Sequence, residues 1–115
     1  MVKKWKIYFL DLDPTKGSEQ RGKRPVLAIS NDAVNTALPV FTCIPFSSVK
    51  PETKIYPTEV YVPAAVSGLS RDSVVMLQQI RTVSTSRVIG DAIGEIKDPA
   101  LRQEINHALM LYFDL

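Results

Sequence analysis

The chain has 115 residues, of which 45% are apolar and 23% charged. Those are ordinary proportions for one globular domain, and they exclude disorder, collagen-like repeats and coiled coils. A net charge of +2, one cysteine and one histidine exclude a disulfide scaffold, leave too few soft ligands for a zinc site, and do not by themselves demand a nucleic-acid partner.

The charge is unevenly placed. Residues 1–24 carry seven basic groups against three acidic ones, a net of +4, and the rest of the chain sums to −2. A basic quarter fits either a polyanion footprint or a solvated surface, and charge alone does not separate them. Lys3, Lys4 and Lys6 imitate the start of a signal peptide, but Asp11 ends the apolar run that follows before it reaches signal length. No later run approaches a membrane span. The expectation is a single cytoplasmic domain over residues 1–115 with no membrane association.

Residues 5–12 are aromatic and branched and read as a strand. Asp13-Pro14-Thr15-Lys16-Gly17 is turn chemistry, and a polar loop continues to Arg24. Residues 25–30 form a second, buried strand. Asn31 and Asp32 open a turn or one helical turn. Residues 39–46 read as a third strand, with Cys43 inside it as a small buried hydrophobe. Residues 47–57 are a polar loop, Glu59-Val60-Tyr61-Val62 alternates as a strand, and Ser67-Gly68 turns the chain. Residues 73–83 are the longest β-like stretch.

The period then changes. Asp98 before Pro99 is a helix start, and Leu101, Ile105, Ala108, Leu109 and Tyr112 follow helical spacing. His107 falls off that apolar face. Short strands closed by one amphipathic helix predict a mostly β fold, either a small, partly closed barrel or a twisted antiparallel sheet with the helix packed on it. Trp5 belongs to the core or to an interface.

The densest polar constellation is Gly17-Ser18-Glu19-Gln20-Arg21-Gly22-Lys23-Arg24-Pro25. Pro25 restricts Arg24 to extended backbone, so the guanidinium enters the strand in a fixed direction, as bidentate recognition of a phosphate requires. An exposed loop with idle charges is the competing reading. Ser47 and Ser48 place two hydroxyl donors after the third strand. Gln78-Gln79-Ile80-Arg81-Thr82 sets polar groups within an apolar strand, lining a cleft or facing water. With a single histidine, any proton transfer falls to carboxylate, guanidinium or hydroxyl groups.

Together these residues resemble the MazF/PemK family of bacterial toxins, the sequence-specific endoribonucleases of type II toxin–antitoxin modules. The segment from Asp13 to Gln20, then Gly22 and Arg24-Pro25-Val26-Leu27, carries most of the resemblance. Ile44-Pro45-x-Ser47-Ser48, Asp72-Ser73-Val74, Gln79-Ile80-Arg81-Thr82 and Ile93-Gly94 follow in order. The resemblance implies an SH3-like barrel of the CcdB/PemK type, a homodimer, and cleavage of single-stranded RNA without metal or cofactor. It also implies inhibition by a cognate, MazE-like antitoxin with an acidic flexible tail, and contact with DNA only indirectly through that antitoxin.

Carried over residue by residue, the resemblance makes Arg24 the catalytic arginine. Ser47 stands where the family usually has threonine, keeping the hydroxyl and losing the methyl that fixes its rotamer. Glu19 becomes the candidate base, or an orienting partner of Arg24. RNA contacts are expected from Gln20, Ser48, Lys50, Lys54, Gln78, Gln79 and Arg81, with the two lysines serving phosphates. Many relatives carry an acid where this chain has Gln78, which cannot act as a base. A binding module without turnover therefore stays open. A gyrase poison like CcdB is disfavoured, because the C-terminus holds no tryptophan.

Overall fold

The computed structural model describes all 115 residues. Seven strands and three helices follow in the order β1 (Lys6–Asp11), β2 (Lys23–Ala28), α1 (Asp32–Ala37), β3 (Val40–Ser48), β4 (Glu59–Val62), α2 (Ala64–Ser67), β5 (Ser73–Met76), β6 (Arg81–Ser84), β7 (Val88–Glu95) and α3 (Pro99–Phe113). All pairings are antiparallel. The sheet runs β4-β5-β3-β2-β1-β7, and β6 also pairs with β3.

Strand β3 organises this arrangement. One edge pairs with β2, setting Val26 opposite Pro45 and Ala28 opposite Cys43. The other edge pairs with β6 from Val40 to Cys43 and with β5 from Phe46 to Ser48. Pro45, which has no N–H to give to a ladder, lies where β3 exchanges one partner for the other. The expected single strand over residues 73–83 is thus two strands, interrupted by a 3-10 turn at Leu77–Gln79.

Alternation along β1, β2 and β3 divides the core between two faces. Ile7, Leu27, Ile44 and Phe46 join the cluster that α3 covers with Leu101, Ile105 and Ala108. Tyr8, Leu10, Val26, Ala28, Phe41 and Cys43 form a second cluster on the opposite face. The Cys43 thiol is fully buried, and burial pushes its pKa up to about 12. Trp5 is core, with Lys4 and Arg102 each 5.3 Å from its ring.

Helix α3 starts as expected: the Asp98 side chain accepts from the Ala100 N–H at 3.0 Å, with Pro99 at the first helical position. Tyr112 departs from expectation. It is 41% exposed and stacks edge-on with Phe113 near the helix end. Strand β7 and helix α2 carried no sequence signal strong enough to predict them. Gly94 of β7 shows why they go together: a Cβ there would lie 2.3 Å from the Ser67 carbonyl oxygen and 3.2 Å from Ile7 Cδ1. No helix is long and apolar enough to cross a membrane.

Candidate active site

Arg24 is the second residue of β2 and lies opposite Leu10 of β1. Continued by two residues, the β2–β3 register brings Arg24 opposite Ser47, on the face that also carries Val26 and Cys43. Ser48, one residue on, belongs to the other face. There it lines a cavity of about 340 Å³ with Pro25, Arg71 and Ser73. The two serines therefore do not act on one point.

The Arg24 guanidinium is half-buried and gripped by neutral oxygens. Nε donates to the Arg21 carbonyl at 2.9 Å, and Nη1 donates to the Phe46 carbonyl at 3.3 Å. The Gln20 carboxamide lies on the same fork. Turned with its oxygen toward the donors, as the hydrogen-bond network requires, it accepts from Nε at 3.1 Å and Nη2 at 2.8 Å. No carboxylate pairs with Arg24; the one ion pair of the structure joins Arg102 to Glu95 at 3.7 Å.

Two more arginines bind the same loop in the same way. Arg81 donates to the Leu12 carbonyl at 3.1 Å. Arg87 donates to the Asp11 carbonyl at 3.1 Å and also to that of Asp13. Carbonyl oxygens orient these cations without cancelling their charge, so the β1–β2 loop carries a positive field. A tetrahedral phosphate gaining charge is what such an array stabilises.

The residues matched by the family model of PemK-like, MazF-like toxins of type II toxin–antitoxin systems are 3–113. The chain belongs to this toxin family. It is 38% identical to endoribonuclease EndoA of Bacillus subtilis over 111 residues, covering 96% of this chain and 93% of the relative. It is 34% identical to endoribonuclease MazF9 of Mycobacterium tuberculosis, covering 100% and 98%. A solved structure described as an endoribonuclease in complex with its cognate antitoxin, from Mycobacterial species, superposes with a TM-score of 0.77 at 25% identity. That match covers 100% of this chain and 97% of the other. The fold is that of the MazF toxins.

The other expected site residues of the toxin divide into two groups. Glu19, Gln20, Gln78, Gln79 and Arg81 converge on one groove of about 200 Å³ beside the Arg24 loop. Within it Glu19 is exposed and accepts from the Lys16 N–H at 2.6 Å. It makes no ion pair with Arg24. The two glutamines have their amides committed. Gln78 accepts from the Thr58 hydroxyl at 2.9 Å and donates to Glu59 at 2.8 Å. Gln79 accepts from the Gln20 N–H at 2.9 Å and donates to the Ser18 carbonyl at 3.0 Å.

Lys50 and Lys54 stand apart in the loop between β3 and β4. Lys50 lines a separate cavity with Tyr61 and Asp72, and Lys54 Nζ lies 5.2 Å over the Tyr56 ring. The largest cavity, about 660 Å³, lies between Met1, Lys6, Tyr8 and Asp91 and shares no residue with the Arg24 cluster. No three His, Cys, Asp or Glu side chains converge as a metal would require. Sequence reasoning passed over two residues: Glu59, which brings a carboxylate to Gln78, and Arg87, which holds the loop carbonyls. Both act across the fold, and no local pattern announces them.

Proposed function

We propose that this toxin is a sequence-specific endoribonuclease that cuts single-stranded RNA in the cytoplasm and is held inactive by a cognate antitoxin. The observation that carries this reading is Arg24, fixed on three neutral oxygens with its charge left uncancelled. The reading is supported by the endoribonuclease names of the two relatives and by the antitoxin-bound structure it resembles.

In the mechanism, the ribose 2′-hydroxyl attacks the adjacent phosphorus. The 2′-O–P bond forms and the P–O5′ bond breaks, leaving a 2′,3′-cyclic phosphate and a 5′-hydroxyl. Glu19 takes the 2′ proton, and a solvent water protonates the departing 5′ oxygen. Arg24 and the Ser47 hydroxyl donate to the phosphorane oxygens, where charge grows. The active form is a homodimer. A binding-only relative is the second reading, favoured by Gln78, which offers an amide where an acid would serve as base.

One experiment separates them. The purified toxin is incubated with a long single-stranded RNA in EDTA, and the cut ends are sequenced and tested for cyclic phosphate. Discrete cuts at one short motif establish the nuclease, its metal independence and its recognition sequence together. Intact RNA, with binding retained, establishes the second reading.

A further inference from the structure

We propose that Gln79 is a positioning residue that sets Arg24 through the β1–β2 loop, and that it does not read a base. This rests on the ribonuclease reading above for its catalytic consequence, though not for its structural one. Residue 79 closes the 3-10 turn between β5 and β6. Both ends of its carboxamide are spent on backbone 59 and 61 residues away: Oε1 accepts from the Gln20 N–H at 2.9 Å, and Nε2 donates to the Ser18 carbonyl at 3.0 Å.

The path to the reacting centre is short. Gln79 holds the Gln20 backbone, and the Gln20 side chain meets the Arg24 guanidinium at Nε and Nη2. The loop is otherwise polar and exposed. Its glycines at 17 and 22 sit at φ +57° and +82°, where glycine is freest. Such a segment holds one shape only if something outside it does the holding. The Leu12 N–H bond to the Gly22 carbonyl, 2.9 Å, closes its base, and Arg81 anchors the Leu12 carbonyl at 3.1 Å. Gln79 is the one side chain outside the loop that bonds its middle, on a donor and an acceptor two residues apart. An amide held at both ends in this way keeps one N–H and one oxygen lone pair in fixed directions, and it could not turn its edge to a base without breaking the tether.

The test uses Gln79→Met, which keeps the shape and removes both bonds, and Gln79→Glu, which keeps only the acceptor. Amide hydrogen exchange at Gln20 is measured by NMR without RNA. Cleavage is measured on an oligoribonucleotide built on the mapped cut site. In Gln79→Met, exchange at Gln20 should rise about tenfold, as expected for one lost hydrogen bond. Cleavage should lose roughly ten- to a hundredfold in kcat through misplacement of Arg24, with KM and the cut sequence unchanged. Gln79→Glu should keep Gln20 protected and recover part of kcat.

A raised KM or a relaxed cut sequence at unchanged kcat would make Gln79 a base reader and overturn the proposal. So would unchanged exchange at Gln20 in Gln79→Met. A wild-type protein that cuts no RNA removes the catalytic link by overturning the ribonuclease reading, while the exchange result still decides the tether.

Discussion

Arg24 Nη1 and the Phe46 carbonyl oxygen are hydrogen-bonded at 3.3 Å, so the charged fork of β2 is fixed by strand β3 and not by a carboxylate. Arg24→Ala should therefore remove cleavage without unfolding the chain, since no buried ion pair is broken. The expected loss in rate is roughly 10²–10³-fold, the cost of deleting one donor to a developing anion. Arg24→Lys keeps the charge, loses the planar fork, and should recover little. Cleavage kinetics beside a thermal melt check both, and full activity in Arg24→Ala would sink the assignment.

Glu19 has a structural duty that its substitution can preserve. Its Oε1 accepts from the Lys16 N–H at 2.6 Å, and a glutamine oxygen accepts equally well. Glu19→Gln should leave the loop in place and slow cleavage by roughly 10²–10⁴-fold, the usual contribution of a general base. The acidic limb of the pH–rate profile should flatten with it. An unchanged rate and profile would reduce Glu19 to a turn-capping group.

Gly94 tests the packing of β7. An added Cβ meets the Ser67 carbonyl at 2.3 Å, and backbone does not yield as a side-chain tip does. Gly94→Ala should destabilise the fold by about 1–3 kcal/mol, the range for overpacking. A urea titration measures it, and a midpoint equal to wild type would contradict the close approach.

Two exposed carboxylates tie stability to acid pH. Asp32 lies below the usual carboxylate value of 3.8, chiefly because it accepts from the Lys4 N–H at 2.7 Å. Asp72 is lowered likewise, chiefly by the Ala64 N–H at 2.8 Å and then by Tyr61. A depressed folded value means the stabilisation is complete above 3.8 and is lost as pH falls through the lower folded values. A double Asp32→Asn, Asp72→Asn variant should lose stability less steeply than wild type below that pH. Identical slopes in acid titrations followed by circular dichroism would refute it.

Cys43 should be silent toward a maleimide in the folded protein and reactive in denaturant, because the buried thiol has been pushed from 9.0 up to about 12 and the thiolate is the nucleophile. Below 9.0 the thiol is protonated in both states. Between 9.0 and about 12 only the unfolded chain gives up its proton, so stability falls as pH rises. Labelling at neutral pH faster than global unfolding would show a more open core.

Much of the fold was legible because it is written locally. Aromatic and branched residues announced β1, alternation announced β4, and Asp98-Pro99 announced α3. The break at Leu77–Gln79 was hidden because the residues on either side are equally strand-like; it arises from β3 changing partners at Pro45. Strand β7 was hidden by two glycines and an aspartate, which weaken strand propensity but fit close packing on α2 and a bulged register against β1. At the site, Pro25 betrayed the direction of Arg24. The opposite facing of Ser47 and Ser48 follows from strand parity and was open to the same reasoning. The tethers of Gln78 and Gln79 join distant segments, and no spacing in the sequence encodes them.

The loop that carries Glu19 and Arg24 is made early in synthesis, but its fasteners come late. Gln79 and Arg81 reach back 59 to 69 residues to it, and Arg87 reaches back 74 to 76. Contacts of such separation close only after most of the chain has left the ribosome. A nascent or prematurely terminated chain thus holds the chemical groups of the toxin without their geometry. The geometry of the site is completed only with the nearly finished molecule.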